Sequence, residues 1–157
     1  GVVLTMAALM KARSDGASMY SYRELANSVR PYLAPGCVVA SYHHQIQSLP
    51  FYTGRREVLI GYRGELGPFG SDPDAAGSFI TNDAQLGALW SSSECFILIA
   101  NRIDLPHLYS LLKPAASIVG CEGKKFALLN HAAQSRERST SCGPAVVDSA
   151  SISDTVR

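Results

Sequence analysis

The sequence predicts an α/β domain, a three-layer sandwich around a mostly parallel sheet of about five strands with an antiparallel edge hairpin. Three observations carry this expectation. Short apolar runs rich in β-branched residues at Val38-Val39-Ala40, Val58-Leu59-Ile60 and Phe96-Ile97-Leu98-Ile99-Ala100 suit strands buried on both faces. Segments carrying helix-start signals alternate with these runs. Near the end, Glu122-Gly123-Lys124 separates two apolar runs, as in a hairpin.

Composition supports one folded domain. The chain has 157 residues, 46% of them hydrophobic and 17% charged, which is enough apolar material for a core. A formal net charge of +1 argues against nucleic acid, which calls for a basic stripe. The four cysteines and four histidines show neither CxxC pairing nor zinc-ligand spacing, so no metal site is expected.

In chain order, residues 1–20 form an apolar lead-in, Val2 to Met10, followed by Lys11 and Arg13. The run is shorter than the roughly 20 residues a spanning helix needs. It reads equally as the end of a transmembrane helix or as a core helix. Residues 21–131 are the expected soluble α/β domain. Ser21-Tyr22-Arg23-Glu24 is a capping box, and Tyr22, Leu25, Ala26, Val29 and Leu33 share one face of the helix it opens, with Pro35-Gly36 as the stop. Strand one is Cys37 to Tyr42. Ser48 to Tyr52 is a short helical turn with Pro50 in its first turn, ended by Gly54. Strand two is Glu57 to Tyr62.

Arg63 to Gly77, rich in Gly, Pro and Asp, is expected to be a long loop. Asn82 and Gln85 cap the next helix, with Leu86, Leu89 and Trp90 as its apolar residues. Strand three is Cys95 to Ala100. Asp104 caps a further helix with Pro106 in its first turn, and the hairpin pairs Ser117 to Cys121 with Lys125 to Asn130. Residues 132–157, rich in Ser, Thr and small residues, are expected to be a disordered or loosely attached tail. Cys37 and Cys95 both open strands and would be within reach of a bridge if those strands are neighbours; the expected state is two buried free thiols.

Ligands of open α/β sheets sit at the carboxyl ends of the strands. Parallel strands would gather Tyr42, His43, His44 and Gln45 there, with Arg63 and Glu65, and with Asn101, Arg102 and Asp104. Arginines facing an anion are the functional expectation, and solvated strand-end residues the bland one. Adjacent histidines on extended chain point to opposite sides, so His43 and His44 are not expected to share a metal. The sequence holds no GxGxxG, GxxxxGK[ST], GxSxG or HExxH motif.

The run Tyr42 to Arg55, YHHQIQSLPFYTGR, followed by Val58 to Leu66, VLIGYRGEL, resembles the C-terminal soluble domain of bacterial polytopic membrane glycosyltransferases. That family includes the aminoarabinose transferases of lipid A and the protein mannosyltransferase-like proteins. The resemblance spans Ser21 to His131, with SLPFY its most distinctive segment. It implies a polyprenyl-phosphate-linked sugar as donor for the whole enzyme, with no cofactor in this segment and a lipid or protein as acceptor. It also implies the protein's own transmembrane portion as partner, and a place on the periplasmic face of the bacterial inner membrane. Because the family's catalytic machinery lies in its membrane portion, no catalytic residue is carried onto this chain. The residues expected to face ligand or acceptor are Tyr42, His43, Gln45, Arg63, Glu65, Asn101 and Arg102. The alternative is a free-standing soluble enzyme or small-anion-binding domain that uses the same strand ends.

Overall fold

A computed structural model of the chain describes residues 22–62 and 77–130. The lead-in, the tail, Ser21, Arg63 and Glu65 lie outside the described residues, as does nearly all of the expected loop. Helix α1, Arg23–Val29, buries Leu25, Ala26 and Val29 and continues as a 3-10 turn, Arg30–Tyr32. Its stop therefore comes from Pro31, ahead of the expected Pro35-Gly36. A proline lacks the N–H for the next helical bond and crowds the carbonyl four residues back. The residue at the N-cap position is Tyr22, with a left-handed φ of 45° and no side-chain cap. The cap comes from across the fold: the Leu25 N–H donates to Glu122 Oε2 at 2.9 Å.

Strand β1 is Val38–Tyr42, helix α2 is Leu49–Thr53, and strand β2 is Glu57–Ile60. Gly54 closes α2 at φ 63°, its N–H donating to the Pro50 carbonyl at 2.9 Å. Strand β3, Phe79–Ile80, was not expected; two residues are too few to show a periodicity. Helix α3, Asp83–Ser92, starts as expected. Asn82 accepts the Gln85 N–H at 2.9 Å, while Gln85 Oε1 accepts the Thr81 N–H at 3.1 Å. Leu86 and Trp90 are fully buried, whereas Leu89, expected among the apolar residues, is exposed. Strand β4 is Phe96–Asn101, a 3-10 turn follows at Arg102–Asp104, and helix α4 is Leu105–Leu111. The hairpin forms from β5, Ser117–Glu122, and β6, Lys125–Leu129. No helix among the described residues is long and apolar enough to cross a membrane.

The sheet has six strands in the order β3-β2-β1-β4-β6-β5. Strands β1, β2, β3 and β4 run parallel, and β6 and β5 close one side as an antiparallel pair. Side chains alternate between two apolar clusters. Phe96, Leu98, Ala100, Ala40 and Leu128 join Leu86 and Trp90 of α3 and Leu108 of α4. Ile97, Ile99, Val39, Ala127 and Leu129 join Leu25 and Val29 of α1 and Leu49 of α2. Strands buried against apolar partners on both sides explain the near-continuous apolar runs. Helix α1 lies so close to β5 that a Cβ on Gly120 would fall 1.7 Å from Ser28 Oγ.

The amino edge of the sheet is tied shut. Cys37 and Cys95 form a disulfide, which overturns the expectation of free thiols. They precede β1 and β4, which are neighbours, and their Cα atoms stand 4.6 Å apart. Cys121 is disulfide-bonded as well. Asn130, fully buried, accepts the Phe96 N–H at 2.8 Å and donates to the carbonyls of Trp90 at 2.9 Å and Ser93 at 2.8 Å. One side chain thereby joins the end of β6, the start of β4 and the end of α3.

Candidate functional site

Chain order reverses at β1. The path runs outward through β2 and β3, then β4 returns to the other side of β1. The carboxyl ends of β1 and β4 therefore flank a topological switch point, the usual place for a ligand in an open α/β sheet. Two sets of expected residues meet there, those after β1 and those after β4. The third set, Arg63 and Glu65, lies outside the described residues.

Tyr42 is the last residue of β1 and is 2% exposed. Its hydroxyl donates to Asp83 Oδ1 at 2.9 Å. Burial, reinforced by the Asp83 carboxylate, pushes the phenol well above its usual range, so it remains a donor. His43 takes a left-handed backbone, φ 58°, and stacks its ring on Tyr42 at 3.9 Å between centroids. That turn brings the ring against the next strand end: a Cβ on Gly61 would sit 2.5 Å from His43 Cδ2. Gly61 itself has φ 65°, which ends β2 short of the expected Tyr62. His43 Nδ1 faces Asp104 Oδ1 at 3.8 Å, an ion-pair distance longer than a hydrogen bond. Asp104 occupies the N-cap position of α4, yet its side chain makes no cap bond. The expected cap is replaced by the approach to His43.

His44 turns inward. Its Nδ1 lies 2.5 Å from the Tyr42 carbonyl oxygen, which can only accept, so Nδ1 carries the proton and Nε2 the lone pair. Nε2 is buried and has no hydrogen-bond partner among the described residues, and the same holds for Asp104 Oδ2. Burial, with the nearby Lys125 charge, lowers the His44 pKa to about 4. Burial also lowers the Lys125 ammonium, against the pull of Asp104 and Glu57. Glu57 is itself buried; it accepts from the Ser41 hydroxyl and, at 3.2 Å, from the Ile46 N–H. Burial raises its carboxyl above the usual range in spite of both donors.

A second pair completes the edge. His107, in the first turn of α4, meets Asp83 Oδ2 at 2.7 Å. Burial alone would raise the Asp83 carboxyl, but the hydrogen bonds from His107 and Tyr42 outweigh it and the carboxyl lies below its usual range. Two carboxylate–imidazole pairs thus stand on either side of Tyr42. A carboxylate-oriented imidazole can give or take a proton, and both His43 and His107 are about half exposed.

Of the other expected residues, Gln45 is exposed, Asn101 is half-buried at the end of β4, and Arg102 is exposed. The Arg102 N–H donates to the Lys124 carbonyl at 2.9 Å, which sets its turn beside the hairpin turn. Sequence reasoning missed Asp83, His107 and Lys125. Asp83 and His107 each occupy the first turn of a helix that follows a parallel strand, so topology was the signal that would have found them. Among the described residues, no group of three His, Cys, Asp or Glu side chains could hold a metal ion.

No family model matches the sequence, and no curated protein matches it. Two solved structures share the fold. One is ArnT from Cupriavidus metallidurans bound to undecaprenyl phosphate, with a TM-score of 0.63 and 16% identity over 72% of this chain. The other is the same protein in the apo state, with a TM-score of 0.63 and 17% identity over 73% of this chain. The chain covers 20% and 21% of those two chains. At such identity the likeness is one of fold: the mixed sheet and its helices share their fold with about a fifth of ArnT.

Proposed function

We propose that the chain is a non-catalytic soluble domain of a bacterial membrane glycosyltransferase. The complete enzyme would transfer a sugar from a polyprenyl-phosphate carrier to a lipid or protein acceptor. The observation that carries this reading is the fold shared with ArnT, whose solved structure contains undecaprenyl phosphate. The SLPFY segment, the most distinctive part of the family resemblance, also supports it; it spans the N-cap and first four residues of α2, between β1 and β2. The partner in this reading is the protein's own transmembrane portion, and the domain needs no cofactor of its own. The two apolar clusters are read as the two interlayer cores of a three-layer sandwich.

The disulfides bear on location. Cys37–Cys95 and the bonded Cys121 suit an oxidising compartment such as the periplasm and are rare in the cytosol. Together with a lipid-carried donor, they support the periplasmic face of the inner membrane. A second reading, a free-standing enzyme or anion-binding domain, is favoured by the carboxylate–imidazole pairs at the switch point.

A lipid-linked-sugar transfer assay on the complete reading frame, with and without residues 21–131, tests the proposal. Transfer by the complete protein supports the glycosyltransferase reading, and its loss on deletion makes the domain essential. A complete protein without transfer activity, but with an activity abolished by His43→Ala and His107→Ala, would favour the second reading.

A further inference from the structure

The carboxyl edge carries a second feature besides the polar cluster. Ile103, at the apex of the 3-10 turn after β4, is 86% exposed, more than any other large apolar side chain described. Exposed Arg102 precedes it in the chain. The bond from the Arg102 N–H to the Lys124 carbonyl brings exposed Lys124 of the hairpin turn alongside. Tyr62, also exposed, follows β2 at the same edge. Among the described residues, the carboxylates of this edge are engaged elsewhere: Asp83 with His107 and Tyr42, Asp104 facing His43, and Glu122 capping Leu25. The outward charge of the turn pair is therefore positive. An apolar prong flanked by cations is the chemistry that recognises an anionic lipid surface.

The path of the chain points the same way. Strand β5 runs parallel to β4, so its last residue, Glu122, lies at the carboxyl edge. Glu122 holds the first turn of α1, so Tyr22 is at that edge too. The 21 residues that precede Tyr22, apolar from Val2 to Met10 and then carrying Lys11 and Arg13, join the domain there. The β6 end, at Leu129, leaves from the opposite edge.

We propose that the carboxyl edge is a membrane-docking surface. Ile103 enters the headgroup region of an anionic phospholipid bilayer, and Arg102 and Lys124 contact lipid phosphates. This goes beyond the transferase reading and holds for either function, since lipid contact requires no sugar transfer.

The test is sedimentation of the 157-residue chain with vesicles of phosphatidylglycerol and phosphatidylethanolamine, and with phosphatidylcholine vesicles alone. The anionic vesicles are expected to bind the chain more tightly, with binding weakened by salt. Ile103→Ser should lower that binding about tenfold, from the lost burial of one aliphatic side chain. Arg102→Glu with Lys124→Glu should lower it by about tenfold or more. Phe51→Ser, at an equally exposed apolar site on α2, should leave it unchanged. The only native tryptophan, Trp90, is fully buried, so Ile103→Trp adds a reporter whose emission should shift to the blue on anionic vesicles, and Phe51→Trp one that should not. Equal binding by all variants overturns the proposal, as does an equal shift at both reporters. Self-association lost in Ile103→Ser while vesicle binding stays intact would instead assign the prong to a second copy of the chain.

Discussion

The two edges of the sheet are built from opposite materials. At the amino edge, Cys37 is bonded to Cys95, and Asn130 satisfies one N–H and two carbonyls at once. At the carboxyl edge, two buried polar atoms lack partners among the described residues, His43 holds a left-handed backbone, and Ile103 stands in solvent. Satisfied, cross-linked groups maximise stability, whereas orphaned and strained ones persist only where the surrounding fold holds them. The difference separates the edge that holds the domain together from the edge that is available for function.

Breaking the amino edge should have the largest effect. Replacing both Cys37 and Cys95 with alanine releases a crosslink between positions 58 residues apart in sequence. A loop of that length corresponds to about 4 kcal/mol of chain entropy restored to the unfolded state. Chemical denaturation of the double variant, with the remaining cysteines kept oxidised, should show that loss without a change in vesicle binding. A loss below about 1 kcal/mol would mean that Asn130 and the core hold this edge without help.

Legibility in the sequence follows the same division. The strands were readable because β1, β2 and β4 are buried on both faces and so carry apolar runs, broken only by the paired Ser41 and Glu57 and by the strand end at Asn101. The start of α3 was readable because Asn82 and Gln85 stand at the spacing that cap bonds require. The disulfide was not readable in the same way. Whether Cys37 meets Cys95 depends on β1 and β4 being neighbours, and that order arises from the crossover past β2 and β3. The same crossover decides which helix starts face Tyr42, so Asp83 and His107 carried no local mark. The positive φ of His43 was hidden too, since its ring packs in the space beside Gly61, a contact set by the pairing of β1 with β2. Local rules reached the elements; contacts across the switch point needed the topology.

The carboxyl edge can be probed through pH. His44 is half-buried with its pKa lowered to about 4 from the ordinary 6.5, so the unfolded chain binds a proton that the folded chain refuses between those values. Stability is therefore full above about pH 6.5, falls as the pH drops, and levels off below about 4 with respect to this group. Because solvent reaches part of the ring, the loss should be on the order of 2 kcal/mol. His44→Asn can keep a donor near the Tyr42 carbonyl and has no titration in this window. Denaturation curves at pH 7 and pH 4.5 should differ less for this variant than for the parent chain. An unchanged pH dependence would assign the acid sensitivity to other groups; Glu57 is not one of them, because its raised carboxyl favours the folded state as the pH falls.

A smaller effect separates backbone strain from crowding. Gly54 and Gly61 both have positive φ, 63° and 65°, so alanine at either meets the same left-handed penalty of about 1 kcal/mol. At Gly54 a new Cβ meets nothing within 4 Å, while at Gly61 it would fall 2.5 Å from His43 Cδ2 and 2.8 Å from His43 Nε2. The ring is half exposed and can swing outward, so the additional cost of Gly61→Ala should stay near 1 kcal/mol. The sharper readout is the ring itself. In Gly61→Ala the His43 Hδ2 and Hε1 resonances should lose the shift caused by stacking on Tyr42, and in Gly54→Ala they should keep it. Equal resonances in the two variants would show that the Tyr42–His43 stack does not depend on the gap at residue 61, leaving Gly61 as a requirement of the backbone alone.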